Sequence, residues 1–560
     1  MSDHAPAAGR AGPRMPRAPS VWCLGTVAIA LPIAVPIAAI LLAFLAPASA
    51  VWAHLRETLL AEYVLNTLAL IAWVATVTLL VGASCAWLVA TRDFPGRRVF
   101  AWTLILPFAA PAYVVAYAYA DMLAFAGPLQ TWLRETGLLE GGLPAVRSLP
   151  GAGLILGFTL YPYVYLLAHN AFAAQAGPRT QAARPLGATP GRAFLTLARP
   201  HPPPANAGRL ALALMEAAAD FGVVEFFGVP TLTNGIFRTW YAQGEYSAAM
   251  QLAGWLFLIV AVLVVLEQLA RRGLHANPVA RNAPPVRVRL TGWRAAFAVA
   301  VCAAPVTLGL LLPGAVLVHN AVVAGDPTFG APFVGYVTNS VTVASLAAIL
   351  AALSALWLNY AGRLEGRSRF LRAGVRTATL GYALPGMVLA VGLIGPLTAV
   401  DRALAGWLRQ VFDVNAGLLL TGTSAALVFV YLARFLTVAF NSLEGGMARI
   451  HPNYDGAARS LGAGPGRVLA RIHVPILTPA LLTAMLLVFV DVIKELPATL
   501  ILRPFNFETL ATRAYRLASD ERIAEASTAS LLIVAVGLVP TVLLALQNFG
   551  ARRLPQGLNP

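Results

Sequence analysis

Glu216 and Asp220 lie four residues apart inside one apolar stretch, and Asp491 and Glu495 lie four apart inside another. That spacing puts each pair on one face of a helix, and each carboxylate is 275 residues from its counterpart. Two cations, Arg434 and Lys494, stand in similarly apolar surroundings. Ionisable groups at membrane depth are costly and face a cavity or a partner. Two chemistries are therefore open to this set. The carboxylates could line a path for a hard cation, which oxygen ligands suit, or they could pair with Arg434 and Lys494 and hold two halves of a protein together.

Other reactive side chains point less far. Tyr113, Tyr117 and Tyr119, followed by Asp121, and the trio Tyr161, Tyr163 and Tyr165 carry phenols, but interfacial belts and helix packing account for them more cheaply. The eight histidines are scattered, with His201 and His473 in polar loops, so spacing indicates no firm metal site. Cys23, Cys85 and Cys302 all fall inside apolar runs, which argues against a disulfide framework and for core packing. Glu225 lies closer to the outer surface, where it could meet a partner. No nucleophile and base stand together, so no catalytic centre is expected.

The elements that position these residues follow from composition. Hydrophobic residues make up 58% and charged residues 11% of the 560, with a mean hydropathy of +0.72; a soluble domain is nearer one quarter charged. This is an integral membrane protein. Its net charge of +16 comes from short Arg clusters between apolar runs rather than from one basic face, which points to membrane topology and not to nucleic acid. Apolar runs long enough to span a bilayer as helices number twelve. They lie near 21–46, 63–90, 99–125, 151–175, 208–228 and 248–270, then near 295–318, 336–361, 373–399, 416–442, 478–501 and 524–548.

Orientation follows from the cations. With the N-terminus inside, 28 of the 40 Lys and Arg residues fall in inner segments and 10 in outer loops, the other two being Arg434 and Lys494. Both termini are therefore expected in the cytoplasm. The first apolar run ends in Ala48-Ser49-Ala50, similar to a signal-peptidase site. It exceeds the apolar core of about 7–15 residues that a signal peptide carries, so a retained first helix is expected.

The chain repeats itself. ARPLGATPGRAFLTLARP at 183–200 and ARSLGAGPGRVLARIHVP at 458–475 share nine of eighteen positions without a gap. Asn66 corresponds to Asn339, and Pro111 to Pro385. Each half is thus one six-helix unit, 21–270 and 295–550, joined by the basic cytoplasmic linker 271–294 and flanked by tails 1–20 and 551–560. An even number of spans keeps both units in one orientation, able to pair about a pseudo-two-fold axis along the membrane normal. Within the repeated motif, Gly187 and Gly462 suit the left-handed position that closes a helix. Thr189 can cap the next helix, with Gly464 a weaker cap, and Pro190 and Pro465 fit its first turn. The expected element is a helix, a sharp turn and a second helix beneath the membrane.

These residues carry a resemblance. Gly, nine residues, Ile, any residue, Leu, Pro, preceded by Glu-Ala-Ala, is the cytoplasmic loop signature of permease subunits in binding-protein-dependent ABC importers. The second copy resembles it through Ala457, Ala458, Gly462, Ile472, Val474 and Pro475, with Gly456 where Glu is expected and Asp455 beside it. The first resembles it through Gln181, Ala182, Ala183, Gly187, Leu197 and Pro200, with Arg199 at the Leu position. The resemblance implies that both loops, including Arg192 and Arg467, dock on two copies of a separate ABC ATPase. That partner would use ATP and Mg, while this chain binds no cofactor. Lys494 is the only lysine and has no glycine near it, so the chain carries no phosphate-binding GxxxxGK[ST] loop of its own.

The segments 215–241 and 489–515 resemble the fused, two-in-one permeases of bacterial ferric-iron importers. What this implies is an all-α integral membrane protein of twelve transmembrane helices in two tandem six-helix units. It would sit in the bacterial inner membrane and take ferric iron from a periplasmic iron-binding protein, with Glu216, Asp220, Arg434, Asp491, Lys494 and Glu495 as candidates for the path. Thiamine, phosphonate, sulfate or polyamine as cargo, and an ion-gradient-driven secondary transporter, are the alternatives.

Overall fold

The computed structural model describes residues 20–175, 204–272 and 287–550, apart from residues 46, 48, 139, 367, 382, 383 and 416. Residues 1–19, 273–286 and 551–560, most of the expected tails and linker, lie outside the described residues, and so does the first copy of the motif with Gln181, Ala182, Ala183, Gly187, Arg192 and Pro200. The described chain is helical, its strands being Arg92–Asp93 and Val288–Arg289, which pair in parallel and tie the end of the linker to a loop of the first half.

Eleven helices among the described residues are long and apolar enough to cross a membrane, one fewer than hydropathy suggests. The difference lies at 208–228. There the helix Pro204–Ala219 stops, and a separate short helix, Gly222–Phe226, begins after Asp220 and Phe221. Its counterpart breaks in the same way, Val474–Ile493 being followed by Pro497–Leu502 after Lys494 and Glu495. The third helix of each half is broken as well, because Pro111 and Pro385 lack the N–H that a continuous helix needs. Ala112–Leu123 starts after Pro111, and Gly386–Phe412 after Pro385. Four interrupted helices at membrane depth require an internal cavity or protein around the freed backbone groups.

The two halves are interlocked. The first helix, Val21–Ala43, packs against Arg369–Ala378 and Gly386–Phe412 of the second half. Trp22 and Trp357 bring their rings to 4.5 Å, and the indole N–H of Trp357 donates to the Trp22 carbonyl at 3.3 Å. In return, the second half's first spanning segment, Trp293–Val323, packs on the third helix of the first half. Asn320 donates to Asp121 at 2.8 Å, and the Tyr119 hydroxyl donates to the Leu308 carbonyl at 2.6 Å.

The internal repeat reaches the level of single hydrogen bonds. Asn66 donates its amide to the carbonyl of Pro230 at 3.0 Å, and Asn339 does the same to Glu508 at 3.0 Å. The next residues, Thr67 and Ser340, accept from the backbone N–H of Leu232 at 3.1 Å and of Leu510 at 2.8 Å.

Candidate functional site

Three of the four breaks converge on one cavity. It has a volume of about 150 Å³ and is lined by Pro111, Ala112 and Tyr113 after the first break, by Asp220, Phe221 and Gly222 after the second, and by Glu495, Leu496 and Pro497 after the last. All six ionisable residues singled out from the sequence, Glu216, Asp220, Arg434, Asp491, Lys494 and Glu495, line it.

Two of the carboxylates restart their own helices. Asp220 accepts from the backbone N–H groups of Val223 at 3.0 Å and Val224 at 3.3 Å. Glu495 accepts from Ala498 and Thr499, both at 3.2 Å, so each residue serves the third and fourth N–H after itself. Such N–H groups have no partner inside the helix, and a side-chain oxygen satisfies them. The cations complete the set. Arg434 binds Glu495 at 2.8 Å and reaches Glu216 at 3.7 Å, while Lys494 binds Asp491 at 2.8 Å. The Lys494 ammonium also lies 4.6 Å from the centre of the Phe108 ring.

The arrangement is asymmetric. By the 275-residue offset, Arg434 corresponds to Thr159 and Lys494 to Ala219, so the four carboxylates come from both halves and the two cations from the second alone. Four formal negative and two formal positive charges leave the cavity at −2. Packing carries the same asymmetry. A Cβ at Gly386 would collide with the guanidinium of Arg434 and the carboxylate of Glu495, whereas the corresponding residue of the first half is Ala112. Among the described residues, no group of three or more His, Cys, Asp or Glu side chains is placed to hold a metal ion.

Aromatic rings pack beside the lining residue Phe221. Tyr117 packs edge-on against Phe226 at 4.7 Å, and Phe221 stands 4.8 Å from Phe237 and 5.9 Å from Tyr515 of the other half. Tyr113, Tyr117, Tyr161 and Tyr165 are buried, which leaves helix packing rather than an interfacial belt as their setting. Tyr113 and Tyr163 also line the cavity, as do Phe108 and Thr159. No reactive type or spacing marks these last two residues in the sequence. Glu225 is absent from the lining and lies 3.8 Å from Arg238.

The second copy of the repeated motif forms the turn its residues suit. Asn453–Ser460 is helical, and Gly462 follows with φ of 78°. The N–H of Ala463 donates back to the Ala458 carbonyl at 3.0 Å, the closure a left-handed glycine makes possible. Gly464 caps the next helix and Pro465 begins it. That helix runs without a join from Pro465 to Ile493 and so into the membrane. Tyr454 and Leu461 are 54% and 87% exposed, Arg467 and Pro475 are exposed, and Ile472 is half-buried.

Asp455 turns inward. It binds Arg363 of the Ala331–Glu365 helix and His473, both at 2.7 Å. Burial pushes its carboxyl up, but the hydrogen bonds from His473 and Arg363, with the Arg363 charge, outweigh that and hold it below the usual carboxylate range.

No family model matches the chain. It is 24% identical over 545 residues to the Fe(3+)-transport system permease protein FbpB 2 of Haemophilus influenzae, a match covering 95% of this chain and 99% of that protein. It is 26% identical over 221 residues to the putative 2-aminoethylphosphonate transport system permease protein PhnV of Salmonella typhimurium, covering 39% of this chain and 74% of that protein. With the sulfate transport system permease protein CysW of Escherichia coli it shares 30% over 148 residues, 26% of this chain and 49% of that protein. The shorter relatives match a fraction of the chain, as single units do against a duplicated one. Along nearly its whole length the chain is similar to a permease of the same double size, and its all-helical, multi-pass membrane architecture agrees with a transport subunit similar to the fused permeases of the ABC transporter type.

Proposed function

We propose that this chain is the membrane permease of an ATP-driven importer that moves ferric iron from a periplasmic binding protein to the cytoplasm. Two ATPase subunits supply the energy, docking on the loops 181–200 and 456–475. Both termini face the cytoplasm, and ATP and Mg are handled by the ATPase subunits. The observation that carries the cargo is the excess of carboxylate over cation in the central cavity. In a partly enclosed site, a formal −2 repels sulfate and phosphonate and attracts a multivalent cation. Polyamines and thiamine are cations too, and similarity over 95% of the chain to a permease named for Fe(3+) favours iron over them.

In this reading the cavity is a way-station with weak hold. ATP-bound and nucleotide-free ATPase subunits favour different arrangements of the halves, and that difference drives the alternation of access.

The test is uptake of radiolabelled ferric iron into proteoliposomes that hold this chain with its ATPase and are supplied with its binding protein. Uptake that needs both ATP and the binding protein is expected. ATP hydrolysis without iron uptake sends the cargo assignment to another solute, and iron movement driven by a proton gradient alone overturns the importer.

A further inference from the structure

Arg363 occupies an unusual junction. It lies in the last turn of the Ala331–Glu365 helix, and its guanidinium serves three acceptors in the next inner segment. Its Nε donates to Asp455, its Nη1 to the Met447 carbonyl at 3.3 Å and its Nη2 to the Ile450 carbonyl at 2.9 Å. Met447 ends the helix Ser424–Met447 and Ile450 follows just beyond it, so the guanidinium sits at a helix C-terminus, where a cation is favourable. The other oxygen of Asp455 meets Nε2 of His473, which is wholly buried in the π-turn Leu469–His473 ahead of the spanning helix. His473 also packs edge-on against Tyr360 at 5.1 Å, and the Tyr360 hydroxyl donates to the Pro465 carbonyl at 2.8 Å.

Four segments thus meet at one carboxylate: the end of Ala331–Glu365, the end of Ser424–Met447, the helix that bears Asp455, and the start of Pro465–Ile493. A guanidinium with three fixed acceptors and a buried imidazole leave little rotational freedom. The aromatic contact continues outward, since Tyr360 lies 5.0 Å edge-on from Trp22 of the other half's exchanged helix.

We propose that Arg363, Asp455 and His473 are positioning residues forming a rigid joint, which makes the 453–475 element move as one body with the Ala331–Glu365 helix. The inference rests on the reading of 456–475 as an ATPase-coupling element. Asp455 is then turned away from the partner, one residue before the place where the signature has Glu, and the docking surface is left to exposed Tyr454, Leu461 and Arg467. A push on that surface moves the Pro465–Ile493 helix by continuity and the Ala331–Glu365 helix through the joint. Tyr360 and Trp22 pass it to the first half.

Two measurements on the complete transport complex test this. D455N is expected to lower iron uptake per ATP hydrolysed by about tenfold, within the range that coupling between sites spans. A nitroxide pair introduced as E365C/S460C reads the joint directly, the three native cysteines being buried. Its distance distribution is expected to be the same in nucleotide-free and ATP-trapped complexes. A distance that changes between the two states, or a D455N ratio equal to wild type in a complex that hydrolyses ATP, overturns the joint alone. A wild-type complex that neither recruits nor stimulates an ATPase overturns the coupling reading and the joint with it.

Discussion

Arg434 belongs to the second half of the chain and reaches Glu216 of the first at 3.7 Å while holding Glu495 of its own half at 2.8 Å. The side chain of Glu495 is 2% exposed, so removing its cation strands a charge that water does not reach. Breaking one partner of a buried pair costs about 3–5 kcal/mol, whereas replacing both by apolar groups is often neutral. R434M is therefore expected to lower the thermal midpoint of the purified permease strongly, and R434M/E495Q to recover most of the loss. A double variant as unstable as the single one contradicts the pairing.

Gly386 offers a milder way to open the same pair. Any side chain there meets Arg434 and Glu495, while Ala112 is tolerated at the corresponding position of the first half. G386A is expected to reduce iron uptake and stability together, and A112G to leave both near wild type apart from up to about 1 kcal/mol for a helical glycine. Equal effects of the two changes would remove the asymmetry of the cavity as their cause.

Asp220 separates the path from the scaffold. An Asn in its place keeps an oxygen for the N–H groups of Val223 and Val224 and loses only the charge, whereas Ala loses both. D220A is expected to cost about 1 kcal/mol of stability, the usual value of a lost cap, and D220N much less. If the carboxylate serves the cation, both variants lower uptake to a similar extent. Uptake by D220N at the wild-type level assigns Asp220 to structure alone.

Much of this is legible in the sequence, for reasons specific to each residue. Gly462 and Pro465 announce their turn because a left-handed backbone and a missing N–H are local demands. The 275-residue offset brings the carboxylates together because duplication conserves position about an axis. The exchange of first helices is invisible in hydropathy: Ile40, which packs against Gly392, and Leu41, which is exposed, are equally apolar, and in lipid both faces of a helix are apolar. The break at Asp220 is hidden likewise, because apolar neighbours on both sides read as one span. The inward turn of Asp455 depends on Arg363, 92 residues away, and no local pattern joins them.

Acid should weaken a second buried pair, in the loops between spans. Asp326 accepts two hydrogen bonds from Arg513, at 3.0 and 2.8 Å, and others from Thr328. Burial pushes its carboxyl up, but the bonds from Arg513 and Thr328 outweigh that and hold it below the usual carboxylate range. A depressed carboxyl contributes stability that is complete above its unfolded value of about 3.9 and is lost as pH falls through the lower folded value. The midpoint of thermal unfolding, measured from pH 6 downward, is expected to fall below about pH 4 in the wild type. D326N should start lower and lose that part of the slope, and an unchanged slope would remove Asp326 from the acid response.

Gly462 gives the most direct test of the coupling element. Its φ of 78° lies in the left-handed region, and a Cβ there meets nothing within 4 Å, so a substitution disturbs the backbone and not the packing. A β-branched residue in that conformation costs roughly 1–2 kcal/mol or more, which the short Asn453–Ser460 helix relieves by opening its last turn. G462V is therefore expected to fold and insert normally while uptake per ATP hydrolysed falls several-fold. G462N is expected to retain most of it, because Asn tolerates the left-handed region best among residues with a side chain. Fluorescence-detected size exclusion monitors folding, and paired uptake and phosphate-release assays give the ratio. Because the change leaves the Arg363, Asp455 and His473 contacts in place, a loss of coupling in G462V with a normal ratio in D455N locates transmission in the turn. The reverse result locates it in the joint.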